Sequence, residues 1–171
     1  VVADVPAPVT GAGEILIRVF VCGVCHTELD EIEGRTPPSR LPMILGHQIV
    51  GRVEARGKDA TKFQRGDRVG IGWIHSACGQ CSFCESGLEN LCASFRATGR
   101  DAGGGYAEYT TVPEDSAYLI PACFSDEEAA PLLCAGAIGY RSLRLTELQN
   151  GQNLGLTGFG AGYLFPDIEV L

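Results

Sequence analysis

Apolar and polar residues alternate through the first part of the chain. In "EILIRVFVC", residues 14–22, Ile15, Ile17, Val19 and Val21 recur at every second position, which predicts a strand carrying those four on one face. Further strands are predicted at 48–55 ("QIVGRVEA") and 67–72 ("DRVGIG"), parted by Gly and Asp turns. "YAEYTTVP" and "SAYLIP" alternate again, and each is closed by a proline, which cannot donate to a ladder. After the first strand, "CGVCHTELDEIEG" offers a glycine turn and a short helix from about Thr27. Near residue 125 the period lengthens. Ser125 and Glu128 have the spacing of a capping box, and the helix that follows is interrupted or kinked at Pro131. Past Asn150-Gly151, "QNLGLTG" reads as a short apolar strand meeting a glycine loop. Many short strands, then helix, then the opening of a β-α unit predict a mainly β domain with short helices. A small barrel or sandwich over residues 1–150 would lead into the start of an α/β domain at 151–171.

Composition narrows the setting. With 171 residues and 45% apolar content the chain can bury a real core, and 23 glycines suit many turns. The formal charge of −8 argues against nucleic acid and against an anionic membrane, both of which select basic surfaces. No apolar run reaches the ~18 residues of a spanning helix and no signal-like start is visible, so a cytoplasmic protein is expected. The one methionine is Met43 and the chain begins at Val1 on the approach to a strand, so a front end that is not represented is expected.

The cysteines change the picture most. "CGQCSFCESGLENLC" spaces Cys78, Cys81, Cys84 and Cys92 by two, two and seven residues. Two-residue gaps let neighbouring thiolates converge on one ion while backbone N–H groups point at the sulfurs. Four thiolates fill a tetrahedral shell, which predicts a structural zinc. Paired disulfides and an iron–sulfur cluster are the competing readings. Nothing suggests secretion, and Ala93 rather than proline follows Cys92. Six thiolates and two dications, if both sites described here fill, would make the formal charge more negative still.

Cys25, His47 and Cys134 are too far apart for spacing to join them. Singly, Cys134 passes for a buried helix cysteine and His47 for a satisfied core histidine. Cys22 and Cys25 form a C-x-x-C pair of the kind used in redox chemistry, although no βαβ pattern surrounds it. Taken in order, however, "GVCHTELD", "LGHQIVGRV", the four-cysteine lobe, "APLLCAGAIGYRSL" and "LGLTGFGAG" resemble the zinc-dependent alcohol dehydrogenases of the medium-chain dehydrogenase/reductase superfamily. The resemblance runs from about Glu14 to Gly162. It implies a GroES-like catalytic domain, a partly open β-barrel, followed by a Rossmann cofactor domain. It also implies that Cys25, His47 and Cys134 bind a catalytic zinc with a fourth position open. There an alcohol oxygen would be acidified and hydride expelled towards a nicotinamide ring.

By the same resemblance Thr27 relays the alcohol proton, although it also sits where an N-cap belongs, with Asp30 three residues later. His26 matches a basic position facing the cofactor's pyrophosphate. Glu28 replaces the aspartate that usually holds the histidine ligand, and the extra methylene changes its reach. Gln48 stands where glutamate is common, which removes a negative charge near the metal. Thr27, Glu28 and Gln48 are thus the candidate catalytic residues. Asp30 replaces a histidine that ends the proton relay in many members. His75, Cys22 and Cys123 have no place in the motifs and read as structural.

Gly158 and Gly160 begin the phosphate turn of a dinucleotide site. Tyr163 then occupies a slot needing Gly or Ala, and Pro166 forbids much helix. A βαβ unit needs at least ~30 residues, so only its first strand and glycine turn are expected here. "FPDIEVL" reads as a strand that returns to the catalytic domain in full-length relatives. The expected protein is therefore a zinc enzyme with two zinc ions, using NAD(P) and a small alcohol, aldehyde or ketone, and a homo-oligomer when full length. The chain by itself would lack turnover. The rival expectation is a non-catalytic zinc-binding module derived from such an enzyme.

Overall fold

A computed structural model describes residues 2–155. Its frame is a five-stranded antiparallel sheet in the order β6-β1-β2-β3-β7. These strands are β1 (Glu14–Gly23), β2 (Gln48–Arg56), β3 (Arg68–Ile71), β6 (Tyr109–Pro113) and β7 (Ala117–Leu119). A two-stranded sheet pairs β4 (Ile74–Ser76) with β5 (Arg96–Ala97). The helices are short: α1 (His26–Ile32), α2 (Ser82–Glu85), α3 (Asp126–Pro131) and α4 (Ala137–Leu145). The mainly β class with short helices and a curled, partly open sheet is the expected one.

The sheet curls because its two longest strands are bulged. Ile17 pairs with Val53 directly after Leu16 pairs with Ala55, which leaves Glu54 as an extra residue on β2. Val19 pairs with Gly51 and Val21 with Val50, which leaves Phe20 extra on β1. Each extra residue sharpens the local twist. The second bulge also corrects the expectation for β1. Ile15, Ile17 and Val19 belong to the inner core, but beyond Phe20 the alternation reverses and Cys22 takes the inward position. Val21 instead packs on the outer face with Val50, Ile120, Leu133 and the α3 alanines. A side chain at Gly51 would run into the carbonyl oxygen of Arg18, so only glycine lets the strands approach there.

Inside the curl, Ile15, Ile17, Ile49, Val53, Phe63, Val69, Ile71 and Val112 form the core. Each such side chain contributes roughly 1.5–3 kcal/mol relative to exposure. Three strands are shorter than their alternation predicts. β3 spans Arg68–Ile71, β6 begins only at Tyr109 and β7 spans Ala117–Leu119, because a strand also needs a partner along its whole length. Residues 152–155, read as the start of a strand, carry no regular structure.

The capping box of α3 is formed. Glu128 N donates to Ser125 Oγ at 3.2 Å, and Ser125 N donates to Glu128 Oε2 at 2.8 Å. Pro131 ends α3, and Leu132–Gly136 continue as a π-helical turn before α4. Proline has no N–H for the regular ladder, and the chain widens at the residues that follow. No described helix is long and apolar enough to cross a membrane.

Candidate metal centres and cleft

The four-cysteine segment projects beyond β4 and β5. Between residues 78 and 91 nothing is buried, and Cys92 is its one buried cysteine. A loop this open has no apolar core to order it. Its sulfurs nevertheless converge, with Cys78 Sγ 3.9 Å and Cys81 Sγ 3.6 Å from Cys84 Sγ. A tetrahedral ion with Zn–S bonds of about 2.3 Å separates its sulfurs by about 3.8 Å, so the spacing fits that ion. The N–H groups of Cys78 and Ser94 donate to Cys92 Sγ at 3.5 and 3.3 Å. A backbone hydrogen bond from Gln80, then those with Cys92 and Cys81, lower the Cys78 thiol to about 6. All eight cysteines are free, so the disulfide reading has no support.

The second cluster is assembled by three distant pieces of chain. β1 ends at Gly23, and Cys25 in extended conformation caps α1. His47 immediately precedes β2 and is 1% exposed. Cys134 is carried by the π turn after α3. Their ligand atoms all lie within 4.8 Å of one another. Cys25 Sγ is 3.9 Å from Cys134 Sγ, and His47 Nε2 is 3.3 Å from Cys134 Sγ. A shared tetrahedral ion would set those edges at about 3.8 and 3.6 Å. Two soft sulfurs and an imidazole suit zinc, and three donors leave one tetrahedral position.

Hydrogen bonds with Cys134 first, then with His47, lower the Cys25 thiol to about 3, although burial opposes them. Burial pulls His47 down, but Cys25 and Glu28 outweigh it and raise the imidazole to about 9. The bond with Cys25, then burial, push Cys134 up, so it keeps its proton.

Glu28 reaches the histidine despite its extra methylene. Its Oε1 is 2.6 Å from His47 Nδ1, and neither atom has another partner. Its Oε2 accepts from Cys25 N at 2.7 Å. One carboxylate thus ties the cap of α1 to the imidazole. That arrangement overturns the competing reading of Thr27 as the N-cap, because Cys25 takes that place with Glu28 three residues on. Thr27 is freed to face the cleft, with its Oγ1 3.6 Å from Cys25 Sγ.

The remaining candidates sit further out. His26 is largely exposed, 3.7 Å from Asp30 Oδ1, and Asp30 is also bound by Arg35 Nε at 2.6 Å. Gln48 is buried, with its side chain against Gly23, and does not line the cleft. Gly158 and Gly160 lie outside the described residues. Cys22 packs against the core with its thiol raised to about 11, chiefly by burial, which is inert rather than redox-active. His75 is buried in β4, whereas Cys123 is exposed and has no packing role.

Beside the triangle opens a cleft of about 610 Å³. Thr27, His47 and Cys134 form its polar end, and Trp73, Ile74, Leu132, Leu133 and Ile138 its apolar wall. Tyr118, Asn90 and Arg141 also line it. Sequence reasoning missed this wall. Its residues come from separate elements, and the only signal was a single tryptophan beside a strand end.

Known proteins share the sequence and the fold of this chain. The family described as "Alcohol dehydrogenase GroES-like domain" matches residues 11–122. A probable alcohol dehydrogenase, AdhA, from Mycobacterium tuberculosis is 53% identical over 160 residues, which are 91% of this chain and 45% of that protein. The structure of a thermostable alcohol dehydrogenase from Pyrobaculum aerophilum, with cobalt and zinc bound, is 30% identical. It superimposes with a TM-score of 0.83 over 88% of this chain and 45% of that one. CAD from Helicobacter pylori, complexed with NADP(H), is also 30% identical, with a TM-score of 0.82 over 89% of this chain and 46% of that one. The chain spans about half the length of the relatives it matches.

Proposed function

Because this chain belongs to the alcohol dehydrogenase GroES-like domain family, in its zinc-dependent medium-chain branch, we propose that it is the zinc-carrying catalytic domain of an alcohol dehydrogenase. The reaction is hydride transfer between an alcohol, or the matching aldehyde or ketone, and NAD(P). One observation carries the reading: two soft-donor clusters differ by one ligand, and the three-donor cluster opens on an apolar cleft.

Cys78, Cys81, Cys84 and Cys92 would hold a structural zinc with a full shell. Cys25, His47 and Cys134, beside the cleft, would hold the catalytic one. When bound, that ion supplies a Lewis acid for the substrate oxygen, while the nicotinamide carries the hydride. The chain's own side chains do the rest. Glu28 holds Nδ1 of His47 and so aims Nε2 at the sulfurs. Thr27 Oγ1 takes the substrate's hydroxyl proton while passing its own to solvent water, which its partial exposure allows. His26 and Asp30 are the next titratable groups outward. Gln48 adds no negative charge beneath the site, and the apolar wall seats the substrate's carbon chain and excludes water. His26, Gly158 and Gly160 serve the cofactor's pyrophosphate in the longer protein. Residues 1–150 form the catalytic domain, and 151–171 begin the cofactor domain.

The test is alcohol-dependent reduction of NAD(P)+ by the full-length protein, with zinc counted by elemental analysis. Two zinc ions per chain and turnover abolished by Cys134→Ser are expected. Two zinc ions with no reduction by any alcohol would instead identify a zinc-binding module.

A further inference from the structure

Trp73 is the only tryptophan, and it forms the wall of the cleft next to the metal-ligand triangle. It stands edge-on to the His47 imidazole, with ring centroids 4.9 Å apart and planes at 76°. Phe95 supports it at 6.4 Å. Arg100 lies on the ring, its guanidinium carbon 5.3 Å from the centroid. Arg100 is itself fixed. Its Nη2 and Nε donate to Asp101 Oδ2 at 2.8 and 3.2 Å. Asp101 Oδ2 also accepts from Ala97 N at 2.8 Å, which anchors the assembly to β5.

We infer that Arg100 is a positioning residue. It clamps Trp73 between its guanidinium and the His47 ring, and so fixes the wall that sets which alcohols fit beside the zinc. A guanidinium over an indole face is a favourable cation–π contact, and its planar fork, pinned by a carboxylate, loses little further freedom. A lysine ammonium offers the charge without the flat surface. Without the clamp Phe95 and the imidazole edge remain as its aromatic neighbours, and the indole is freer to turn within the cleft wall. The effect on substrates rests on the dehydrogenase reading above; the clamp itself does not.

Fluorescence separates the two, because Trp73 is the sole indole. On the 171-residue chain, Arg100→Met lowers the steady-state anisotropy of Trp73 and raises its acrylamide quenching constant about twofold. Zinc binding at His47 alters Trp73 emission in the wild type, and Arg100→Met at least halves that change. Arg100→Lys falls between, and Arg100→Gln, which keeps a hydrogen bond to Asp101 but not the charge, serves if the methionine variant fails to fold. In the full-length enzyme, Arg100→Met narrows the kcat/KM preference between a small alcohol and a branched or aromatic one by roughly tenfold. Equal anisotropy and quenching in wild type and both neutral variants would overturn the clamp. An altered indole with unchanged substrate preference would overturn its role in selection. Absence of any turnover in the wild type would sink the dehydrogenase reading and leave the fluorescence result standing.

Discussion

At the scale of single residues, the consequential contact is Glu28 with His47. Replacing Glu28 by Gln removes the charge that holds the imidazole, and zinc affinity at the open site falls about 10–100-fold, measured by competition with a chromogenic chelator. The four-cysteine zinc is unaffected. The same triangle fixes a pH dependence. His47 is raised to about 9, so its contribution to the metal-free fold is complete below about 6.5 and lost as pH rises through 9. Cys25 is lowered to about 3, so its contribution is complete above about 9 and declines as pH falls towards 3. Zinc holds its cysteine ligands as thiolates and its histidine neutral, so loading that site at pH 7.5 releases about two protons, readable with a pH indicator in weak buffer.

At the scale of elements, the lobe and the π turn behave differently. The lobe buries nothing between residues 78 and 91, so its order depends on the metal. Cys81→Ser, or a strong chelator, exposes 77–95 to proteolysis while the circular dichroism of the sheet persists, since the core of β1, β2 and β3 is separate. The π turn depends on Pro131. Pro131→Ala restores the missing N–H and lets α3 continue as an α-helix, which turns Cys134 away from His47. Elemental analysis should then find less than one equivalent of zinc in the three-donor site, with the lobe still full. The capping box at Ser125 and Glu128 was legible because it lies within four residues, and the helix break at Pro131 because proline acts on its own turn. The bulge at Phe20 was not. Strict alternation placed Val21 with Ile17, and only pairing with Gly51 and Val50 shows that the strand turns over.

At the scale of the whole molecule, two metal sites and a cleft occur on a chain that spans about half of its relatives. The 171-residue chain is expected to carry two zinc ions and to reduce no NAD(P)+ above background. Its described residues contain no βαβ unit for a dinucleotide. Spectrophotometry at the nicotinamide band, with and without alcohol, checks this. Turnover by this chain alone would mean that the cofactor binds by some other means.

Sequence by itself determined whatever depends on near neighbours. The four-cysteine lobe, the alternation of the strands, the capping box and the chemistry of each donor follow from residue type and short spacing. Tertiary structure alone decided which distant groups meet. Cys25, His47 and Cys134 are separated by a bulged strand pair and a π turn, and no local rule measures the angle at which those elements cross. The same holds for Trp73, set between Arg100 and His47. Its position is fixed by where β3, β4 and β5 leave it, so the selecting wall of the cleft exists only once the sheet has curled.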